Sequence, residues 1–140
     1  MIMALDVGTK RIGIAVCDPG GTFALPVGSV TRTNRREDLA SIEEYVRSYD
    51  VLELVVGDPL TLRGERAIAS QEVDRFVEML REIFSGPIHL VDERLTTAQA
   101  TKELVQADVS RKRRKEVVDA MAAALILESF LARRRNQPGA

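Results

Sequence analysis

The sequence has no tryptophan, one histidine, one cysteine, four phenylalanines and two tyrosines. Each scarcity narrows what the chain can do. A lone cysteine, Cys17, cannot close an internal disulfide, which fits a reducing cytoplasm. It reads as a small strand residue rather than a nucleophile. Several of the aromatics (Tyr49, Phe76 and Phe130) fall on stripes expected to face a core. That leaves no platform for stacking the bases of a single strand, so recognition of a nucleic acid would go through backbone and shape. The single histidine, His89, sits in a short apolar segment and reads as structural rather than as a proton shuttle. No apolar run approaches the roughly 20 residues of a membrane span. The N-terminus lacks the basic start, longer apolar segment and cleavage site of a secretory signal. The expectation is a cytoplasmic protein with no membrane partner.

What is present is enough for one ordinary domain. The 140 residues are 45% hydrophobic and 29% charged, a soluble, globular balance. We expect one domain over 1–136 and a flexible tail over 137–140. Net charge is only −1, but it is unevenly spread. Residues 111–140 carry eight basic side chains (Arg111, Lys112, Arg113, Arg114, Lys115, Arg133, Arg134, Arg135) against Glu116, Asp119 and Glu128. One end of the chain is therefore suited to a polyanion.

The first eighteen residues organise the rest. Ile2 to Leu5 and Ile12 to Val16 are apolar runs joined by Gly8-Thr9-Lys10, the pattern of a hairpin whose strands are buried on both faces. Thr22 to Val30 reads as a third strand, made irregular or placed at an edge by Pro26. Thr33 or Asn34 caps a helix carrying Leu39, Ile42, Val46 and Tyr49 at helical spacing. Val51 to Val56 is a fourth strand. After a polar loop from Asp58 to Arg66, a helix from about Ala67 to Phe84 carries Val73, Phe76, Val77, Leu80 and Ile83 on one stripe. Ile88 to Val91 is a fifth strand. Thr96 or Thr97 caps a helix to about Ala107. The basic run 111–115 is a loop or a helix start, and Glu116 to Arg134 is the last helix. The alternation implies an α/β fold with crossover helices covering a partly parallel sheet.

Three acidic residues lie in apolar settings near element ends: Asp6 after the first strand, Glu93 (with Asp92 beside it) after the fifth, and Asp119 in the last helix. A charge at such positions is costly unless paired or bound to metal. Asp119 shares a helix face with Ala122, Ala123, Ile126 and Phe130, and the alanines let that face approach the sheet. If the first and fifth strands end close together, the three carboxylates converge. They would then repel unless a cation neutralised them. Oxygen ligands of this kind suit Mg²⁺ or Mn²⁺, and two such ions about 4 Å apart support phosphodiester cleavage. Each residue also has a plainer reading. Asp6 can be a turn residue, Asp119 can serve the helix dipole, and Glu93 can pair with Arg94. Strand alternation puts Asp92 and Glu93 on opposite sides, and the sequence does not say which faces the site.

The segments Leu5-Asp6-Val7-Gly8-Thr9-Lys10-Arg11-Ile12-Gly13, Val56-Gly57-Asp58-Pro59-Leu60 and Asp92-Glu93-Arg94-Leu95-Thr96-Thr97, with Val118-Asp119 leading into Ala123 to Ser129, resemble the YqgF family, also called RuvX. The resemblance covers nearly the whole chain. Its first motif alone is shared with actin-like ATPases and sugar kinases. It implies a ribonuclease H-like fold, with a five-stranded mixed sheet in order 3-2-1-4-5 and only strand two antiparallel, flanked by helices. It also implies acidic metal ligands at Asp6, Glu93 and Asp119. Two roles come with it: maturation of the 5′ end of pre-16S ribosomal RNA, or resolution of Holliday junctions. One departure stands out. The family has an apolar residue where this chain has Asp58, which either adds a fourth acidic group near the metals or faces solvent.

Around these carboxylates, Thr9, Lys10, Arg94 and the run Arg111, Lys112, Arg113, Arg114 and Lys115 are candidate phosphate contacts. Arg11 is either another or an exposed strand residue. The expected partner is nucleic acid, RNA in preference to branched DNA. The chain is expected to be a monomer or a homodimer, and junction resolution would require the dimer. Two readings of other classes compete: an ATPase-like nucleotide-binding domain, for which the chain is short, and a non-catalytic adaptor.

Overall fold

A computed structural model describes residues 1–18, 20, 23–58, 68–92 and 111–136. Of residues 68–69 and 111–116 it describes the backbone only. The helix expected over 96–107, the tail 137–140, Glu93 and Arg94 lie outside the described residues.

The strands are β1 (Ile2–Val7), β2 (Arg11–Cys17), β3 (Ala24–Thr31), β4 (Glu53–Asp58) and β5 (Ile88–Asp92). The helices are α1 (Arg35–Ser48), α2 (Ile68–Leu80) and α3 (Arg111–Arg135). The sheet order is β3-β2-β1-β4-β5, as the resemblance implied. β1 is central, antiparallel to β2 and parallel to β4. β2 pairs antiparallel with β3, and β4 parallel with β5, so β2 alone runs against the rest. The hairpin turns at Gly8, whose N–H donates to the Arg11 carbonyl at 2.9 Å. A Cβ at Gly8 would stand 2.8 Å from that oxygen, so the tight turn needs glycine. Pro26 lies on the edge strand β3, opposite Ala15, next to a register shift. There its missing N–H costs no ladder bond.

The sheet separates two apolar layers. Met3, Leu5, Ile12, Ile14, Leu54 and Val56 pack with Leu39 and Ile42 of α1 and Val73, Phe76 and Leu80 of α2. Ile2, Ala4, Ala15, Cys17, Val55 and Val91 pack with Ala123, Ala124, Ile126, Leu127 and Leu131 of α3. Each strand alternates between the two layers, so the buried strands look apolar throughout. Asn34 is the N-cap of α1, accepting a hydrogen bond from the Glu37 N–H at 2.9 Å. Just beyond α1, Asp50 turns the chain with φ 50. Cys17 is fully buried, and burial pushes its thiol pKa up, which suits an inert packing residue.

One expectation resolves to one of its alternatives and one is corrected. The basic run 111–115, read as a loop or a helix start, is helical, within α3 (Arg111–Arg135). The fourth strand extends through Asp58, so Asp58 is a strand residue and not the start of the loop.

Candidate active site

The carboxyl ends of the parallel strands β1, β4 and β5 lie side by side, and ligands of open α/β sheets gather at such ends. Asp6 occupies this position on β1. Its neighbours on the same strand face, Ile2 and Ala4, belong to the α3 layer, so Asp6 projects toward α3. It is only 4% exposed.

Directly across the ladder from Asp6 is Gly13 of β2. Cross-strand partners point to the same face, so the missing side chain of Gly13 would also point at α3. The space is taken by the Asp119 backbone. A Cβ on Gly13 would stand 1.9 Å from the Asp119 carbonyl oxygen and 2.3 Å from its carbon. Glycine at 13 therefore lets the helix backbone approach the sheet at the level of Asp6. Ala122 and Ala123, fully buried in the next turn, keep the approach close. In this way a hairpin glycine and a small-residue helix face bring the Asp6 and Asp119 segments together.

Asp119 is the ninth residue of α3. The dipole acts within the first turn, so it does not account for an acid this far into the helix. The carboxylate instead meets Arg11, whose Nε donates to Asp119 Oδ2 at 2.7 Å. The pair is partly buried, with 25% and 14% of the side chains exposed. Arg11 is two residues from Gly13 on β2, so it shares the face of Asp6 and Gly13. Its pairing was missed in the sequence, where it read as a phosphate contact or a surface residue. The available signal was the spacing Arg11-x-Gly13, which puts a cation beside the glycine that admits the helix.

The other acids separate by face. Asp58 is buried and alternates with Leu54 and Val56, which belong to the α1–α2 layer. Asp92 is directly in register with it. Both lie on the face opposite Asp6, so Asp58 neither faces solvent nor joins Asp6. Among the described residues no group of three histidine, cysteine or acidic side chains surrounds a common metal position. Asp6 and Asp119 still fit a hard divalent cation, since both offer only carboxylate oxygen. The guanidinium at Asp119 shows that the site already accommodates positive charge.

Thr9 and Lys10 are exposed in the β1–β2 turn. That turn is braced from the residue after β3, where Arg32 Nη1 donates to the Gly8 carbonyl at 3.0 Å. Thr9 also borders a cleft of about 510 Å³ whose lining mixes Arg32, Arg35 and Arg75 with Asp38 and Glu72. Arg111, Lys112, Arg113, Arg114 and Lys115 are the opening residues of α3, with no acid in its first turn. His89 is part of a different cluster. Its Nε2 lies 3.3 Å from Glu53 Oε1, its ring lies 4.9 Å from that of Phe130, and Glu53 is held by both Arg134 nitrogens at 2.8 and 2.9 Å. No helix among the described residues is long and apolar enough to cross a membrane.

Known proteins bear on this arrangement. A "putative pre-16S rRNA nuclease" of Thermoanaerobacter pseudethanolicus is 44% identical over 137 residues, covering 97% of this chain and 99% of its own. A protein of Moorella thermoacetica with the same description is 45% identical over 132 residues, 94% of each chain. Among solved structures, T. thermophilus RuvC in complex with a Holliday junction substrate superposes with a TM-score of 0.57 over 96% of each chain. At 14% identity that likeness speaks for the fold, which is ribonuclease H-like. The family model RuvX, described as a Holliday junction resolvase, matches residues 1–133, and the chain belongs to the RuvX family.

Proposed function

We propose that this protein is a divalent-metal-dependent nuclease that hydrolyses phosphodiester bonds of structured nucleic acid, with the 5′ end of pre-16S rRNA as its substrate. The convergence of Asp6 and Asp119 over Gly13 carries this reading. Two acids held on neighbouring segments at the end of the sheet favour a cation between them. Glu93 is the third ligand in this proposal. Its neighbour Asp92 belongs to the far face of the sheet, in register with Asp58, and the family resemblance assigns the ligand to Glu93.

Mg²⁺ or Mn²⁺ bound by Asp6, Glu93 and Asp119 would supply Lewis-acid activation of water and stabilise the leaving oxygen. The chain's own residues do the rest. The buried strand end excludes bulk solvent around Asp6. The Gly13 contact fixes the depth of α3 and so the separation of the two acids. Thr9 and Lys10 at the exposed turn, with Arg94, are suited to hold the flanking phosphates.

The start of α3 supports a nucleic-acid partner. Five consecutive basic residues at the positive end of a helix dipole work against the helix. Local conflicts of this kind are expected at functional sites, and a polyanion at that end removes the conflict. The description borne by the two relatives favours ribosomal RNA processing. The family description favours a second reading, Holliday junction resolution, which needs two active sites and hence a homodimer.

The test is cleavage, with Mg²⁺ or Mn²⁺, of a labelled pre-16S leader RNA and a four-way DNA junction side by side. We expect cleavage of the RNA, absent in Asp6→Asn. Paired symmetric nicks in the junction alone would transfer the assignment to resolution. Cleavage of neither would contradict the nuclease reading.

A further inference from the structure

We infer that Arg11 competes with a divalent cation for the Asp119 carboxylate, and that it couples metal binding to the arrival of a nucleic-acid phosphate. The inference rests on the nuclease reading of Asp6 and Asp119.

Arg11 Nε bonds one oxygen of the Asp119 carboxylate at 2.7 Å, with both side chains mostly withdrawn from water. A carboxylate in this position cannot offer that oxygen fully to a cation while the guanidinium holds it. The guanidinium also adds a positive charge beside the place a divalent ion would take. In a partly buried site that repulsion is screened less than at the surface. Removing Arg11 therefore has a sign: metal should bind the free protein more tightly.

The second half follows from where Arg11 sits. It opens β2 directly after Thr9 and Lys10, the exposed turn at the same end of the sheet. A side chain a quarter exposed reaches solvent on that side. A backbone phosphate arriving at the turn offers the planar fork an alternative partner of the type guanidinium prefers. Once Arg11 passes to phosphate, Asp119 is released to the metal. Each ligand then strengthens the other, and the coupling is reciprocal. The free protein holds metal weakly and loads it when nucleic acid is present.

The experiment titrates Mn²⁺ into the full chain, following free Mn²⁺ by electron paramagnetic resonance. Wild type, Arg11→Gln and Arg11→Lys are compared with and without a nuclease-resistant phosphorothioate RNA hairpin. Arg11→Gln is expected to tighten Mn²⁺ binding to the free protein by about fivefold or more. It should also remove most of the tightening that RNA produces in wild type, expected at about tenfold. Arg11→Lys keeps the charge and should stay closer to wild type in the free protein. Unchanged or weaker Mn²⁺ binding by Arg11→Gln would overturn the inference, as would full retention of the RNA effect. Circular dichroism of the variants separates a folding defect from a change of affinity. A wild type that binds Mn²⁺ but cleaves nothing would sink the nuclease reading and leave this comparison intact. Absence of Mn²⁺ binding in wild type and variant alike would overturn both.

Discussion

Gly13 lies beneath the Asp119 backbone so closely that a Cβ on residue 13 would stand 1.9 Å from the Asp119 carbonyl oxygen. One hydrogen atom in place of a methyl group thus sets how deeply α3 seats, and with it the distance between two carboxylates 113 positions apart in the chain. Gly13→Ala must push α3 outward or bend β2. Overpacking of this kind costs about 1–3 kcal/mol. Urea denaturation should show that loss, and cleavage should fall further than the stability change accounts for.

Asp92 and Glu93 are neighbours with opposite fates. Asp92 is in register with Asp58 on the α1–α2 side, away from Asp6. Asp92→Asn should cleave at the wild-type rate, whereas Glu93→Gln should be inactive while still folded. Equal loss in both variants would contradict the placing of Asp92 away from the site.

Glu53 provides a pH signature. The Arg134 hydrogen bonds hold its carboxyl below the ordinary value of 4.5, against burial, with a further contribution from His89. A folded-state pKa lower than the unfolded one contributes stability above the unfolded value, and that contribution is lost as the pH falls through the folded value. Glu53→Gln should therefore be less stable than wild type near neutral pH, with the gap closing below about pH 4.5. Because Arg134 is 38% exposed, solvent screening keeps the difference near 1 kcal/mol, about the upper limit for such pairs. Thermal melts at several pH values measure it.

Phe76 anchors the other face of the sheet. It is 1% exposed, and the Arg32 guanidinium lies 5.4 Å from its ring centroid. Phe76→Ala should cost about 3–5 kcal/mol, read as a lower urea midpoint. The affinity for Mn²⁺ should hold wherever the variant is still folded, because Asp6 and Asp119 face away from this layer.

The sequence made much of this visible because the strands are nearly continuous apolar runs and the helices carry clean stripes. Sheet order was a different matter. Local pattern shows alternation, and the order followed only from the family resemblance. Boundaries failed where a charge interrupts an apolar run. Asp58 looks like a loop residue by type, yet it is a buried strand end. Arg111 to Lys115 read equally as a loop or a helix start because helix N-termini favour acids, and they prove helical. The close approach of the α3 face to the sheet was anticipated from alanines at helical spacing, and the Asp119 backbone indeed lies against Gly13. The Arg11 pairing was not anticipated, because an arginine opening a strand directly after a turn reads equally as a surface residue, and only its spacing from Gly13 set it apart.

The most direct test of the account is Mn²⁺- and Mg²⁺-dependent cleavage by Asp6→Asn, measured together with its thermal stability. The substitution keeps the shape and removes the charge. The account predicts that cleavage of the pre-16S leader falls to background while the variant still melts as a folded protein, since Asn keeps the shape of Asp but is a poor ligand for a hard cation. Cleavage at the wild-type rate by a folded Asp6→Asn would contradict it.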